Sequence, residues 1–405
     1  MTRSPLRRTV VTGIGVVAPG GVTRAAFWSL LSEGRTATRR ISLFDASLFR
    51  SRVAAECDFD PVAAGLSAMD RRLPDRFVQF GFAAAAEATV DCGLEPTEQL
   101  RDRMGVVLGS AVGGATAEEQ ERTGRVDVDY LAANIAVRYG VHGPVQVIST
   151  GATSGIDSIG CAHQLIQDGD ADVVIAGAAD SPLSPVTAAS FDAIKATTPD
   201  NHDPAHACRP FDRDRNGFVL GEGAAVLILE ELGHALGRDA PIYCEVTGYA
   251  ARSNGFPVTG RIPDGTEMSL AIAETMRQAK LNPTDISYIC AHGSGTRQND
   301  RIETAALKRS LGQAAYGIPV SSIKSMIGHS MGAIGAIEMA ACALAIDTGV
   351  VPPTANWRHR DPECDLDYVP NIARAQAVDV ALSVSSGFGG SQSAMVLSKF
   401  TDIRQ

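Results

Sequence analysis

Ser149-Thr150-Gly151-Ala152-Thr153-Ser154-Gly155 decides how this chain is read. It lies between an apolar run (Val145, Val147, Ile148) and a helix-like stretch beginning near Ser154. A Gly-rich turn of this kind lifts one side chain onto a helix N-terminus. There, free N–H groups and the helix dipole stabilise an anion, which is why such turns suit a reactive thiolate. Position 152 carries a methyl group instead, and a methyl cannot attack.

The motif recurs. Gly328-His329-Ser330-Met331-Gly332 also follows a strand-like run and opens an apolar helix. A short acidic turn comes after each helix (Asp168-Gly169-Asp170 and Asp347-Thr348-Gly349). Asp172–Ala176 then follows the first, and Val350-Val351-Pro352-Pro353 the second. Each half closes on an apolar strand, Ala225–Leu229 or Ala394–Leu397. Any Gly-x-x-x-Gly turn before a helix looks like this, so it is the matching order of elements that argues for two similar halves. Such halves would set the helix near Ala152 beside the helix near His329. The expected division is 1–240 and 241–405.

β-branched runs alternating with helical patterns read as α/β. Further strands are expected at Thr9–Thr12, Gly105–Leu108, Val145–Ile148, Ile242–Tyr249, Ile286–Ala291, Val320–Ile323 and Ala381–Ser385. Buried helices are expected at Ser154–Gln167 and Gly332–Thr348, both Ala/Ile-rich. The chain has 36 basic and 46 acidic residues, a net charge of -10, which disfavours nucleic acid as a partner. The eight cysteines are scattered without a CxxC pair, which argues against a zinc site and a disulfide framework. With no secretory apolar segment and no run of membrane-spanning length, a cytoplasmic location and no membrane contact are expected.

Three polar clusters could carry chemistry: Ala291–Thr296 around His292, Ser321–Ser330 with Lys324 and His329, and Ser385–Ser391 with Phe388. A histidine in a Gly/Ser loop after a strand sits at the sheet edge where α/β folds bind ligands. Two imidazoles can donate to one carbonyl oxygen and stabilise an enolate or oxyanion. Phe388 between glycines could move as a gate. Glu338 is the only acid in the apolar stretch Gly332–Leu344, so an ion pair with Lys324 is expected. Taken singly, each has a bland reading: a hydrogen-bonded structural histidine, a surface lysine, a core phenylalanine. Their order on these elements favours the site.

From Arg7 to Lys399 the chain resembles β-ketoacyl-acyl-carrier-protein synthases of the thiolase fold, in particular the ketosynthase subunit of bacterial type II polyketide synthases. Four stretches carry the resemblance: His292–Gly312 (HGSGTRQNDRIETAALKRSLG), Val320–Glu338 (VSSIKSMIGHSMGAIGAIE), Val350–Pro370 (VVPPTANWRHRDPECDLDYVP) and Arg35–Pro61. It implies five layers, α-β-α-β-α. It also implies a nucleophilic cysteine at position 152, and His292 and His329 as the pair that drives malonyl decarboxylation and holds the thioester oxygen. Lys324 would support the site, paired with Glu338. Phe388 would gate the acyl pocket, with Thr296 and Gly389 in supporting positions. The backbone N–H groups of 152 and 388 would form an oxyanion hole. No metal and no resident cofactor are implied, because phosphopantetheine arrives on the carrier protein. The implied partners are an acyl carrier protein and, in a dimer, a chain-length factor or a homologous ketosynthase subunit.

Two features depart from that pattern. Ala152 cannot be acylated, and Cys161 is no substitute, lying roughly 13 Å along the helix and half a turn out of phase. The segment Thr116–Gly140 is shorter than expected of aromatic ketosynthases. Three functions are weighed: an elongating ketosynthase whose cysteine has become alanine, a malonyl carrier protein decarboxylase of the loading type, and a non-catalytic chain-length-factor-like subunit. The presence of His292, His329 and Lys324 favours the first and puts the third last, and the decarboxylase ranks second because alanine offers no side-chain hydrogen bond at position 152. Arg39, Arg40, Arg71, Arg72, Arg209, Arg213 and Arg215 are candidates for a local basic patch facing an acidic carrier protein.

Overall fold

The computed structural model describes residues 7–73, 75–114, 129–255 and 264–401. Ten strands form one sheet: β1 (Thr9–Val17), β2 (Met104–Gly109), β3 (Val145–Ile148), β4 (Val173–Asp180), β5 (Gly223–Glu231), β6 (Cys244–Ser253), β7 (Tyr288–Cys290), β8 (Val320–Ser321), β9 (Val380–Ser386) and β10 (Ser391–Ser398). Their order is β8-β7-β9-β10-β6-β1-β5-β4-β2-β3. Read outward from the centre, the two blocks have the same topology. β1-β5-β4 and β6-β10-β9 are antiparallel, whereas β4-β2-β3 and β9-β7-β8 are parallel. Among the described residues the two blocks pair within the sheet by a short antiparallel contact, with Thr9, Val10 and Val11 facing Val246, Glu245 and Cys244.

Five layers follow. Helix α1 (Arg76–Cys92) covers the outer face of the first block, and α2 (Tyr130–Tyr139) packs beside it. Helices α5 (Thr266–Ala279) and α6 (Arg297–Leu311) lie on the outer side of the second. The middle layer is α3 (Ser154–Asp168) against α8 (Ile334–Thr348). These two cross at Gly155 and Gly335: a methyl on Gly155 would lie 2.4 Å from Ala336 N, and one on Gly335 2.7 Å from Ile156 N. Both positions are glycine because the backbones themselves are in contact. This is the α-β-α-β-α thiolase architecture.

The repeat is real, but its register differs from the sequence expectation. A 3₁₀ turn precedes each middle helix, Gly151–Thr153 before α3 and Met331–Ala333 before α8. Both helices end on a left-handed glycine, Gly169 or Gly349. The counterpart of Ala152 is therefore Gly332, three residues beyond His329. The second turn is longer because the helical turn α7 (Lys324–Ile327) stands between β8 and His329. Val350–Val351 is not the counterpart of β4 either. It pairs with Arg374–Ala375 in a separate ribbon, and β9 takes the place of β4.

β1 and β4 run four or five residues past the expected Thr9–Thr12 and Asp172–Ala176. Gly13 and Gly15 sit where α1 presses on the strand: a methyl there would lie 2.2 Å from Ala88 O or 1.9 Å from Ala84 O. Val320–Ile323 shortens to Val320–Ser321 because Ile323 caps α7. β3 forms over the expected Val145–Ile148 and is the edge strand, with Val145 44% exposed. Met331–Thr348, by contrast, is long and apolar enough to cross a membrane, the one such helical stretch among the described residues, although none was expected. It is 89% buried inside the protein. All eight cysteines are free thiols. The first part of Thr116–Gly140 lies outside the described residues.

Candidate active site

A cavity of about 620 Å³ opens where the two halves meet, lined by Ala152, His292, His329, Phe388, Thr296 and Asn299 among others. The tip of α3 supplies Ala152, which is 7% exposed. The turn after β9 faces that tip: a methyl on Gly387 would lie 3.5 Å from Ala152 N, and Ser385 Oγ donates to Ala152 O at 3.3 Å. Phe388 is 45% exposed at the turn's crest, with its ring 6.1 Å from that of Phe191. Gly389 and Gly390 follow with φ of 91° and 89°, backbone that a side chain disfavours.

His292 and His329 come from different loops and meet in the cavity, ring centroids 5.3 Å apart and planes at 78°. The His329 backbone is clamped by Val219 O (2.8 Å) and Gly221 N (2.9 Å). Met331 N–H donates to His329 Nδ1 at 3.2 Å. A neutral ring that accepts at Nδ1 carries its proton on Nε2, so His329 is assigned as an Nε2–H donor.

Buried charges hold the His292 peptide from both sides. Lys324 Nζ pairs with Glu338 Oε1, both side chains being fully buried, and donates to His292 O at 2.5 Å. On the other side, the Glu303 carboxylate accepts His292 N–H at 2.6 Å and Gly293 N–H at 2.8 Å. Burial pushes Glu303 up to about 7, against the pull of those N–H donors. Glu338 is likewise raised by burial to about 7, with Lys324 opposing. Asp180, at the end of β4, ties the halves together. It accepts Ser110 Oγ (2.5 Å), Ala111 N (2.9 Å), Val112 N (3.2 Å) and Gly332 N (2.6 Å), and burial raises it to about 6.

The structure thus gathers Ala152, His292, His329, Thr296 and Phe388 around one cavity and places the expected Lys324–Glu338 pair behind it. Thr296 caps α6, its hydroxyl accepting Asn299 N–H at 3.2 Å. Cys161 lies half-buried along α3, with its thiol pushed up by burial. The basic-patch expectation fails in part. Arg215 is buried against Asp300 (3.3 Å) and Asp361 (2.5 Å), and Arg209 pairs with Asp200 at 3.0 Å. Arg213 meets Asp214 at 3.6 Å, and Arg39 meets Asp58 at 2.7 Å and Glu56 at 3.1 Å. Arg40, Arg71 and Arg72 remain exposed.

Sequence reading missed Asp180 and Glu303. Glu303 left a signal: Asn299 and Glu303 stand four apart on α6, one helical face, directly after the His292 loop. Asp180 left none, because its partners come from residues 110–112 and 332.

Family models for the beta-ketoacyl synthase N-terminal domain and C-terminal domain match residues 6–235 and 243–358. The chain belongs to the β-ketoacyl synthase family. Within it, the chain falls with the ketosynthase alpha subunits of type II polyketide synthases. It is 56% identical over 425 aligned positions to the tetracenomycin polyketide synthase ketoacyl synthase alpha subunit of Streptomyces glaucescens, covering 100% of both chains. To 3-oxoacyl-[acyl-carrier-protein] synthase 2 of Synechocystis it is 41% identical, covering 97% of this chain and 98% of the relative. One similar solved structure is a type II polyketide synthase acyl-carrier protein in complex with its ketosynthase bound to the hexaketide. It matches at TM-score 0.90 and 35% identity, covering 98% of this chain and 100% of that one. The ishigamide ketosynthase/chain length factor matches at TM-score 0.87 and 32% identity, with 98% and 100% covered.

Proposed function

We propose that this chain is a polyketide chain-elongating ketosynthase whose nucleophile position holds alanine, so that it binds carrier-borne thioesters but does not condense them. In the full reaction an acyl group would pass from a carrier protein to a thiol at position 152. Malonyl thioester would then lose CO₂, and the carbanion would displace that thiol from the acyl carbonyl carbon. The methyl of Ala152 removes the first step. What remains is a pair of imidazoles facing a cavity that a malonyl thioester can enter. The Nε2–H donor on His329, 5.3 Å between ring centroids from His292, carries this reading. Donors aimed at the thioester oxygen stabilise the enolate that forms as CO₂ leaves, and they need no sulfur to do so. Ala152 N–H and Phe388 N–H would serve the acyl-transfer oxyanion.

Intact-mass measurement tests this. The chain as it stands should gain no acyl mass from an acyl carrier protein, and the Ala152→Cys variant should gain one acyl group. A variant that is folded, supplied with its partner subunit and still not acylated sinks the proposal. The same two histidines favour a second reading, malonyl carrier protein decarboxylation of the loading type. CO₂ release by the unaltered chain, abolished in His292→Ala, would support it.

The proposed partners are an acidic acyl carrier protein and a homologous subunit, either a chain-length factor or a second ketosynthase. Among the described residues, edge strand β3 pairs on one side only and leaves Val145 exposed, so it offers a ladder for a second subunit. A monomeric native mass at micromolar concentration contradicts the dimer.

A further inference from the structure

The two N–H groups that would face the acyl-transfer oxyanion belong to segments from different halves. Ala152 lies in the 3₁₀ turn Gly151–Thr153 ahead of α3, and Phe388 in the turn between β9 and β10. These turns touch without gripping each other. A methyl on Gly151 would lie 3.6 Å from Phe388 O, and one on Gly387 3.3 Å from Thr150 O. The bond from Ser385 Oγ to Ala152 O is long at 3.3 Å. Asp157, on the first turns of α3 and 5% exposed, bonds to both segments. Its Oδ2 accepts Thr150 Oγ1 at 2.5 Å, and Thr150 Oγ1 in turn accepts Thr153 Oγ1 at 3.0 Å, so the chain is held on either side of Ala152. Its Oδ1 accepts Ser393 Oγ at 2.6 Å and Tyr249 OH at 2.9 Å, on β10 and β6 of the second half. Ser393 stands two residues after Ser391, whose carbonyl accepts Gly387 N–H at 2.9 Å and closes the turn that carries Phe388. Tyr249 reaches Asp157 across Gly160, where a methyl would lie 2.5 Å from the ring. The Phe388 ring itself rests against Phe191 of α4 (Pro185–Ala193), 6.1 Å between centroids.

We propose that Asp157 is a positioning residue, a brace that fixes the spacing of the 152 and 388 N–H groups by tying the helix-tip turn to the β9–β10 hairpin. This rests on the reading that those N–H groups serve acyl transfer. The oxyanion forms when a thiol at 152 adds to the thioester carbonyl, and it collapses as the carrier's thiol leaves. Donors stabilise it only when both already point at that oxygen, so their separation must be set before substrate arrives. Asp157 suits this work. Three hydroxyls donate to its two oxygens, which uses the group as an acceptor alone, the ionised form. Bonds of O–H to a carboxylate are short and strong. A buried carboxylate bonded by hydroxyls is costly to keep, and here it joins three segments that the sheet and α3 do not otherwise lock together at the site.

Acylation of the Ala152→Cys variant by an acetylated acyl carrier protein, followed by intact mass against time, tests the brace. Alkylation of the same thiol by iodoacetamide is the control. It displaces iodide from a saturated carbon and forms no oxyanion, so it needs the helix tip and not the paired N–H groups. Adding Asp157→Asn should slow acylation about 10- to 100-fold, with the half-saturating carrier concentration changed less than about twofold. The plateau of the alkylation pH profile should not fall. Thr150→Val and Ser393→Ala each cut one end of the brace and leave Asp157 in place, and they decide the matter if Asp157→Asn does not fold. Each should slow acylation, and the two combined should slow it no further than the larger single effect, because a brace cut at one end carries nothing across. Acylation that is unchanged in these variants, alkylation that falls in step with acylation, or effects of Thr150→Val and Ser393→Ala that multiply overturns the brace. If Ala152→Cys with its partner subunit takes up no acyl group, the proposed function fails and the brace falls with it; an acylated parent with indifferent variants sinks the brace alone.

Discussion

Replacing Lys324 with methionine removes a buried ammonium from between two acceptors, Glu338 Oε1 and His292 O. Both members of the pair are fully buried, so water cannot take over either role. Breaking such a pair costs about 3–5 kcal/mol. The cost depends on pH, because Glu338 can take up a proton. Its carboxyl already sits at about 7, raised by burial while Lys324 pulls it down, against an ordinary value of 4.5. Without the ammonium only the raising influence is left. A carboxyl raised on folding stabilises the fold below its unfolded pKa, and that contribution is lost as pH climbs to the folded value. Above pH 7 the unaltered protein has released this proton and its stability stops falling, whereas Lys324→Met keeps the proton and continues to lose about 1.4 kcal/mol per pH unit. The penalty should therefore widen by about 2 kcal/mol between pH 7 and 8.5. Lys324→Met/Glu338→Leu should recover most of it. The remainder, about 1–3 kcal/mol, is the hydrogen bond that Lys324 gives the His292 carbonyl. Urea unfolding of the three proteins at pH 6, 7 and 8.5 reads all of this. A single variant costing under about 1 kcal/mol with no extra slope above pH 7, or a double variant no better than the single, would refute the buried-pair reasoning.

Gly155→Val should cost about 1–3 kcal/mol or prevent folding, because the first added carbon meets Ala336 N at 2.4 Å; an unchanged urea midpoint counts against the backbone crossing. Burial pushes Glu230 up, yet hydrogen bonds from Arg238, His234 and Thr12 prevail and hold it at about 2. That depressed carboxyl contributes about 3 kcal/mol above pH 4.5, lost as pH falls toward 2, so Glu230→Gln should flatten acid unfolding across that window. Phe388→Ala, made together with Ala152→Cys, should speed alkylation of the new thiol severalfold if the ring is a gate. An equal rate with Phe388 intact means that the ring does not restrict access.

The parts of this fold legible in sequence were those dictated locally. Strand–turn–helix units at Val145–Ile148 and Ser154–Gly155 announce themselves through β-branched runs and glycine. Lys324 and Glu338 could be paired before any coordinates, because the lone acid in the apolar stretch Gly332–Leu344 needs a cation. The reach of β1 past Thr12 was not legible, because Gly13 and Gly15 are small on account of α1 lying across them. The arginine patch failed for a related reason: sequence shows how many arginines there are but not which carboxylates fold against them, and Arg215 ends between Asp300 and Asp361. Asp180 was illegible because all four of its donors lie on segments distant in sequence.

The duplicated topology also explains why only one of two equivalent helix tips belongs to the site. Ala152 and Gly332 occupy the same place on α3 and α8, each just before a 15-residue helix. Both tips carry the partial positive charge that favours an anion. At Gly332 the protein has already supplied one, because Asp180 accepts that N–H at 2.6 Å, and a methyl on Gly332 would sit 2.6 Å from the same carboxylate. At Ala152 no acid among the described residues lines the approach, and the cavity opens there. The second half uses its turn differently: the longer path through α7 carries His329 past Leu220 and into the cavity of the first half. One tip is neutralised to hold the halves together, and the other is left charged and open, facing two imidazoles from the opposite half. Substituting the side chain at 152 changes which chemistry is possible there without altering that division of roles, because the division is set by the backbone and by Asp180.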